Sequence, residues 1–284
     1  MFHSVVAALA SLILAPVYDG VERKVRAAIH SRIGPPILQT WYDVIKLFNK
    51  ETVVPLGGTW SALITVLELA VLASSTALLM IVADVGLSPG GLYWVITFAV
   101  LVSVTSTLTI LRSVSQNNVY SVVGGFREFS LVLSAEPFLI VSVFLLMSGA
   151  GSQVSRGAAV ATAIIASYVT SGRIPYDIAE AEPELSAGVN IELSGSLLGV
   201  ATLSATLKKF VSASLTSLVI ISLTGLSGLE SLVAVALLTP ATWIAQAVLS
   251  VMLGRSRVDL AVKFLYATLF TLSAFMLLSY GLGL

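Results

Sequence analysis

Eight uncharged or nearly uncharged runs divide this chain, at about 2–18, 60–83, 91–111, 121–148, 157–172, 194–224, 230–253 and 258–281. Each predicts a membrane-spanning helix. The fifth is the shortest, because only 16 uncharged residues lie between Gly157 and Gly172. At 1.5 Å per residue they cover about 24 Å, less than a hydrocarbon core near 30 Å. Its helix is therefore expected to extend past Arg156 or to sit inside protein. A different period follows the first run. After Gly34-Pro35-Pro36, the apolar residues Ile37, Leu38, Trp41, Val44, Ile45 and Phe48 recur at helical spacing, with Gln39, Asp43, Lys46 and Lys50 opposite them. This predicts an interfacial amphipathic helix over about 37–50, with Trp41 and Tyr42 at headgroup depth. The fold class that follows is all-α and polytopic: about eight transmembrane helices plus the interfacial one. No internal repeat or long linker interrupts it, so residues 1–284 read as one integral membrane domain.

Composition agrees with lipid as the solvent for most of the surface. The chain is 57% hydrophobic and 11% charged, with a mean hydropathy of +0.98, and soluble domains of this size do not read that way. The net charge is zero, which with the lack of a basic patch argues against nucleic acid. Orientation comes from the cations. With the N-terminus outside, the loops after the odd-numbered spans and their helix ends hold Arg23, Lys24, Arg26, Arg32, Lys46, Lys50, Arg112, Arg127, Arg173, Arg255 and Arg257, whereas the opposite loops hold Arg156 alone. The positive-inside rule then places both termini outside a cell membrane crossed eight times. The first run lacks a basic leader and a persuasive cleavage site, so it is read as retained.

Chemistry enters through acids and through one absence. The chain has no cysteine, so it can hold no disulfide and no thiolate-ligated iron–sulfur cluster. A NiFe centre within it is excluded for the same reason. Its two histidines, His3 and His30, are poorly placed for a bis-histidine haem. No metal site and no catalytic residue is assigned. Between the fifth and sixth spans lies an acidic loop, about 173–193, in which Asp177, Glu180, Glu182, Glu184 and Glu192 make up five of the fifteen acids. Carboxylates this crowded raise one another's proton affinity. Within the spans stand Glu68, Glu128, Glu136 and the pair Lys208–Lys209. Such groups cost about 2.5–3.5 kcal/mol each on insertion scales, so they need partners or a function. Glu128 and Glu136 differ by about 12 Å of rise and about 80° of rotation, which lets them face one cavity at two depths. That suits an ion relay; a Glu–Lys pair locking two helices is the competing reading. Glu68 fits either.

Three ordered blocks carry a family resemblance. They are Glu22 to Glu51 (ERKVRAAIHSRIGPPILQTWYDVIKLFNKE), Arg127 to Leu139 (REFSLVLSAEPFL), and Pro175 to Leu185 (PYDIAEAEPEL) followed by Glu192-Leu193-Ser194-Gly195. Together they resemble the membrane-anchor subunit family shared by respiratory complex I (NADH dehydrogenase subunit 1-like) and the energy-converting NiFe hydrogenases. The chain departs from complex I subunits at Ile191 and Leu193, where Thr and Tyr are usual. It also runs directly from Arg32-Ile33-Gly34-Pro35-Pro36 to Ile37-Leu38-Gln39, without the longer insert found in complex I. That shortened form is similar to the formate hydrogenlyase and membrane-bound hydrogenase type, which does not use quinone.

The resemblance implies a membrane subunit of an oxidoreductase complex, with no redox centre of its own. It implies cytoplasmic hydrogenase-like large and small subunits that carry iron–sulfur clusters and a NiFe or NiFe-derived site, and antiporter-like neighbours in the bilayer. It assigns H⁺ or Na⁺ coupling to Glu128, Glu136, Asp177, Glu180, Glu182, Glu184 and Glu192, to which the intramembrane charges Glu68, Lys208 and Lys209 are added. Arg23, Lys24, Arg26, Arg32, Arg127 and Arg173 are the expected docking cations for a soluble partner. A quinone-reducing complex I-type subunit and a stand-alone secondary ion transporter are the alternatives. The transporter would be favoured by inverted repeats.

Overall fold

The computed structural model describes residues 2–55, 58–85, 91–148, 152–179, 185–226 and 228–282. Among these, nine α-helices follow one another: α1 (Phe2–Ile29), α2 (Gln39–Phe48), α3 (Thr59–Val85), α4 (Leu92–Ser115), α5 (Val119–Ser148), α6 (Gln153–Thr170), α7 (Gly195–Ile221), α8 (Leu229–Met252) and α9 (Val258–Leu282). A 3₁₀ turn, Gly188–Asn190, lies between α6 and α7. Six helices are long and apolar enough to cross a membrane, namely α3, α4, α5, α7, α8 and α9. The all-helical membrane fold is thus present, with six such spans by length and composition among the described residues.

The two remaining long helices differ from the sequence expectation for physical reasons. The first does not stop near residue 18. It continues to Ile29 through Asp19, Glu22, Arg23 and Arg26, because those charges fall at i, i+3, i+4 and i+7 and satisfy one another along one helix face. Arg23 Nε donates to Asp19 at 3.1 Å and Arg26 to Glu22 at 3.0 Å. The fifth run does extend past Arg156, since α6 starts at Gln153, where the Ser152 hydroxyl accepts from the Ser155 amide. Most of α6 is buried between α5, α7 and α9.

The bundle is organised around α7. In its most apolar window 78% of residues are buried, against 28–44% in the other five apolar helices. It packs on α1, α2, α3, α6 and α8. Hydroxyls and an amide stitch that centre together. Ser212 donates to the Ser167 carbonyl at 2.6 Å, Ser217 and Thr242 share a 2.9 Å bond, and Gln246 donates to Thr216 at 3.1 Å. Apolar helices gain little from excluding lipid from one another, so such bonds fix their rotation. On the outside, Phe126, Leu133, Leu237, Phe264 and Phe270 stay exposed, as a lipid-facing surface requires.

The helix expected over about 37–50 forms over Gln39–Phe48. Thr40 and Val44 bury against the bundle, whereas Leu38, Tyr42, Ile45 and Phe48 remain exposed. Its approach to α1 depends on Gly20. A Cβ at that position would stand 1.7 Å from the Ile37 carbonyl oxygen, a clash no rotamer can relieve. The turn through Pro35 and Pro36 can therefore lie directly on the α1 backbone.

Candidate functional site

A polar cavity of about 210 Å³ opens at the end of the bundle where residues 171–179 and 188–190 lie. Its wall takes Glu22 and Arg26 from α1, Glu68 from α3, Arg112 from α4, Glu128 from α5, and Lys208 and Lys209 from α7. The segment after α6 adds Arg173, Tyr176, Asp177 and Asn190. Five elements and one loop thus bring five cations and four carboxylates to a single space.

The charges are distributed as specific pairs. Lys208 Nζ donates to Glu128 Oε1 at 2.7 Å, joining α7 to α5. Its neighbour Lys209 turns the other way and donates to Asp19 at 2.9 Å, joining α7 to α1. Adjacent residues on a helix point about 100° apart, so one dipeptide serves both sides of the central helix. Arg112 donates to Glu68 at 2.6 Å, and Thr109 donates to the other carboxylate oxygen at 2.8 Å. A second Arg112 nitrogen donates to Asn190 Oδ1 at 3.1 Å, which ties the loop to the α3–α4 pair. Asp19 gathers further support from Thr40 at 2.9 Å, and Arg23 bridges Asp19 to Asp43 on α2. Buried charges held like this are costly to strip of one partner, because the survivor stays in low dielectric.

Arg173 closes the arrangement. It is 3% exposed, donates to Glu22 at 2.8 Å, and lies 4.8 Å from the Trp243 ring centre. Burial pushes its pKa down from the ordinary arginine value, while the Glu22 carboxylate pulls it up. Guanidinium suits this place because it is weakly hydrated and stacks on aromatic faces. The described residues beyond it, 174–179 and 185–193, pack largely against the bundle. Tyr176, Ile178, Leu185, Val189 and Leu193 are buried. Gln116 donates to the Val189 carbonyl at 2.9 Å, Asn118 to Glu192 at 2.6 Å, and Ser256 to the Pro175 carbonyl at 2.8 Å.

The sequence-predicted residues are placed as follows. Glu68, Glu128, Asp177, Lys208 and Lys209 line the cavity. Asp177 also accepts from Arg255 at 2.9 Å. Glu192 is half-buried beside Asn118, outside that lining, and Glu180, Glu182 and Glu184 lie outside the described residues. Glu128 stands in the wall of this cavity. Glu136 is buried, but it is not part of this wall, and its Oε1 has no hydrogen-bond partner among the described residues. Lys208 takes Glu128, the nearer of the two to the cavity mouth. Glu68 takes an arginine rather than a lysine.

Among the expected docking cations, Lys24 and Arg32 are exposed, Arg23 and Arg26 are partly exposed within ion pairs, and Arg127 is half-buried. Arg173 belongs to the interior, as its pairing with Glu22 shows. Three charged residues of the site were not singled out from sequence as site residues: Asp19, Glu22 and Arg112. The i, i+3, i+4 spacing of Asp19, Glu22 and Arg23 was a usable signal for the first two. Arg112 carried none beyond standing at the end of a span.

Comparison with known proteins gives this geometry a context. Hydrogenase-4 component C of Escherichia coli (strain K12) is 32% identical over 222 residues, which cover 72% of this chain and 70% of that protein. Formate hydrogenlyase subunit 4 of the same organism is 27% identical over 228 residues, covering 74% of each. The fold matches a chain in the structure of the membrane-bound sulfane sulfur reductase, an archaeal respiratory membrane complex. There the TM-score is 0.80, with 19% identity over 98% of both chains. The family profile described as NADH dehydrogenase matches residues 2–281. With nearly the whole length covered and two subunits of hydrogenase-type complexes among its relatives, this chain belongs to the NADH dehydrogenase family.

Proposed function

We propose that this chain is the membrane-anchor subunit of an energy-converting, hydrogenase-like respiratory complex. In this reading it seats a soluble redox arm and couples that arm's electron transfer to H⁺ or Na⁺ movement. One observation supports the reading most: Glu22, Glu68 and Glu128, from three different helices, face one cavity capped by the loop containing Asp177. Carboxylates in contact with water at a bundle end can take up and release ions. Buried in the bilayer, they mark an ion path by default. Glu136 is the next acid inward along α5, and its unsatisfied oxygen suits a group that exchanges a proton with water.

The redox chemistry belongs to partner subunits carrying iron–sulfur clusters and a NiFe or NiFe-derived site, since this chain has no cysteine to hold them. Those partners sit over the loop end, and antiporter-like subunits lie alongside in the bilayer. The membrane topology is eight-span, with α1 and α6 as the two further crossings and both termini outside. Purification of the intact complex in mild detergent tests the assignment. Metal-bearing hydrogenase-like subunits should accompany the chain in fixed proportion. Recovery of the chain alone, with ion transport intact in vesicles, would replace this reading with a stand-alone transporter.

A further inference from the structure

A second polar space lies inward of the acid-lined cavity. It is a chamber of about 10 Å³ among α3, α4, α6 and α7, with Thr105, Thr170, Lys208 and Ser212 as its polar lining. Aliphatic side chains complete the wall. No described residue of α5 is among them, so the chamber is distinct from the surroundings of Glu136.

Its depth follows from helix geometry. To the outer cavity α3 contributes Glu68, α4 Thr109 and α7 Lys208; to the chamber they contribute Leu72, Thr105 and Ser212. Each step is one of about a turn and about 6 Å of rise, forward in sequence on α3 and α7 and backward on α4. The two spaces are thus stacked, one helical turn apart. Among the described residues only Lys208 lines both, and its side chain stands between them.

The hydrogen-bonding capacity of the lining identifies the occupant. Thr105 donates to the Val102 carbonyl at 2.6 Å, while Thr170 and Ser212 donate to the Ser167 carbonyl at 3.0 and 2.6 Å. Each hydroxyl has spent its proton there and keeps acceptor lone pairs. Lys208 is the reverse. An ammonium carries three protons and no lone pair, and Glu128 takes one of them at 2.7 Å. A guest must therefore accept from the ammonium and donate to the hydroxyls. Water does both, and the volume suits a single molecule. A sodium ion would stand against the ammonium charge, and chloride would face oxygens with no proton left to give.

We propose that the chamber binds one water molecule, which accepts a hydrogen bond from Lys208 and donates to two of the hydroxyls of Thr105, Thr170 and Ser212. The ammonium then has a partner on each side, Glu128 outward and water inward. The water's part in transport rests on the coupling role proposed above. A proton that reaches Glu128 cancels the outer charge, and the lysine stays held by the water instead of being stranded in low dielectric.

Density maps of the intact complex, at a resolution that shows ordered water, test the site directly. A single peak should stand within hydrogen-bond reach of Lys208 Nζ and two of the three hydroxyl oxygens. An empty chamber in the wild-type complex would overturn the proposal. Thr105→Val keeps the side-chain shape and removes one acceptor, and should lower the occupancy of the peak. Val102→Ile leaves every hydroxyl in place but fills the space, and should abolish the peak and lower the number of ions moved per electron in vesicles. Subunit content, measured in each variant, shows that the complex has assembled. A peak unchanged in both variants would mean that this lining does not hold it. Loss of the peak with an unchanged ion-to-electron ratio would leave a structural water and overturn its part in coupling. A peak in a wild-type complex that moves no ions would keep the water site and remove the coupling role itself.

Discussion

Lys208 and Glu128 meet at 2.7 Å between the central helix and α5, with side chains 16% and 10% exposed. The pair decides which of the α5 glutamates holds the lysine, and so what each glutamate is free to do. Removing one member leaves the other charge buried, at a cost of about 3–5 kcal/mol. Glu128→Leu and Lys208→Met should each lower complex yield and melting temperature. The double variant should recover much of that stability, because an apolar pair of similar volume replaces an ion pair. Ion translocation should stay lost in the double variant. Thermal melting of the purified complex and ion uptake in vesicles read the two effects separately.

Glu136 gives the opposite expectation. No lysine depends on it as first partner, so Glu136→Gln strands no cation. The complex should assemble fully and keep its electron-transfer rate, while ions moved per electron fall sharply. An unchanged ion-to-electron ratio would remove Glu136 from the relay.

Arg173 tests stability rather than transport. Arg173→Ala deletes both the Glu22 bond and the Trp243 contact, and should cost about 3–5 kcal/mol, read as poor recovery of folded chain. Arg173→Lys restores the charge but not the planar stack, worth about 2 kcal/mol when desolvated. The lysine variant should therefore melt between wild type and alanine. Equal melting of lysine and wild-type proteins would mean that the indole contact contributes nothing.

Two glycines make a matched control. Gly20→Ala places a methyl group inside the Ile37 carbonyl and should detach the 34–37 turn, with α2, from α1. Gly157→Ala meets nothing within 4 Å and lies in a helix, so it should be neutral or slightly stabilising. Protease sensitivity of the 30–38 segment distinguishes them.

The topology prediction rests on exposed positions. A cysteine at Gln153 should react with an impermeant reagent added outside sealed cells, and one at Gly254 should react only after the membrane is opened. External labelling at Gly254 would overturn the eight-span arrangement.

Hydropathy alone located the six long apolar helices, and the i, i+3, i+4 period located α2 to within two residues at each end. Both are local properties: burial in lipid acts on each segment separately, before any partner is chosen. The same reasoning placed Glu68, Glu128, Lys208 and Lys209 within spans and made them candidates for one site. It could not assign their partners. Charge counting read Arg112 as a loop-end cation, yet its guanidinium reaches Glu68, 44 residues away in sequence. The charges after residue 18 read as the start of a loop, yet they extend α1, because Lys209 arrives from α7 to neutralise Asp19 and Arg173 arrives to neutralise Glu22. Which way α7 is rotated settles whether Lys208 meets Glu128 or Glu136, and that rotation is fixed by Ser212, Thr216 and Ser217 bonding to α6 and α8. A sequence shows which residues must find partners in a low-dielectric interior. Only packing, acting through helices far apart in the chain, decides which partners they find.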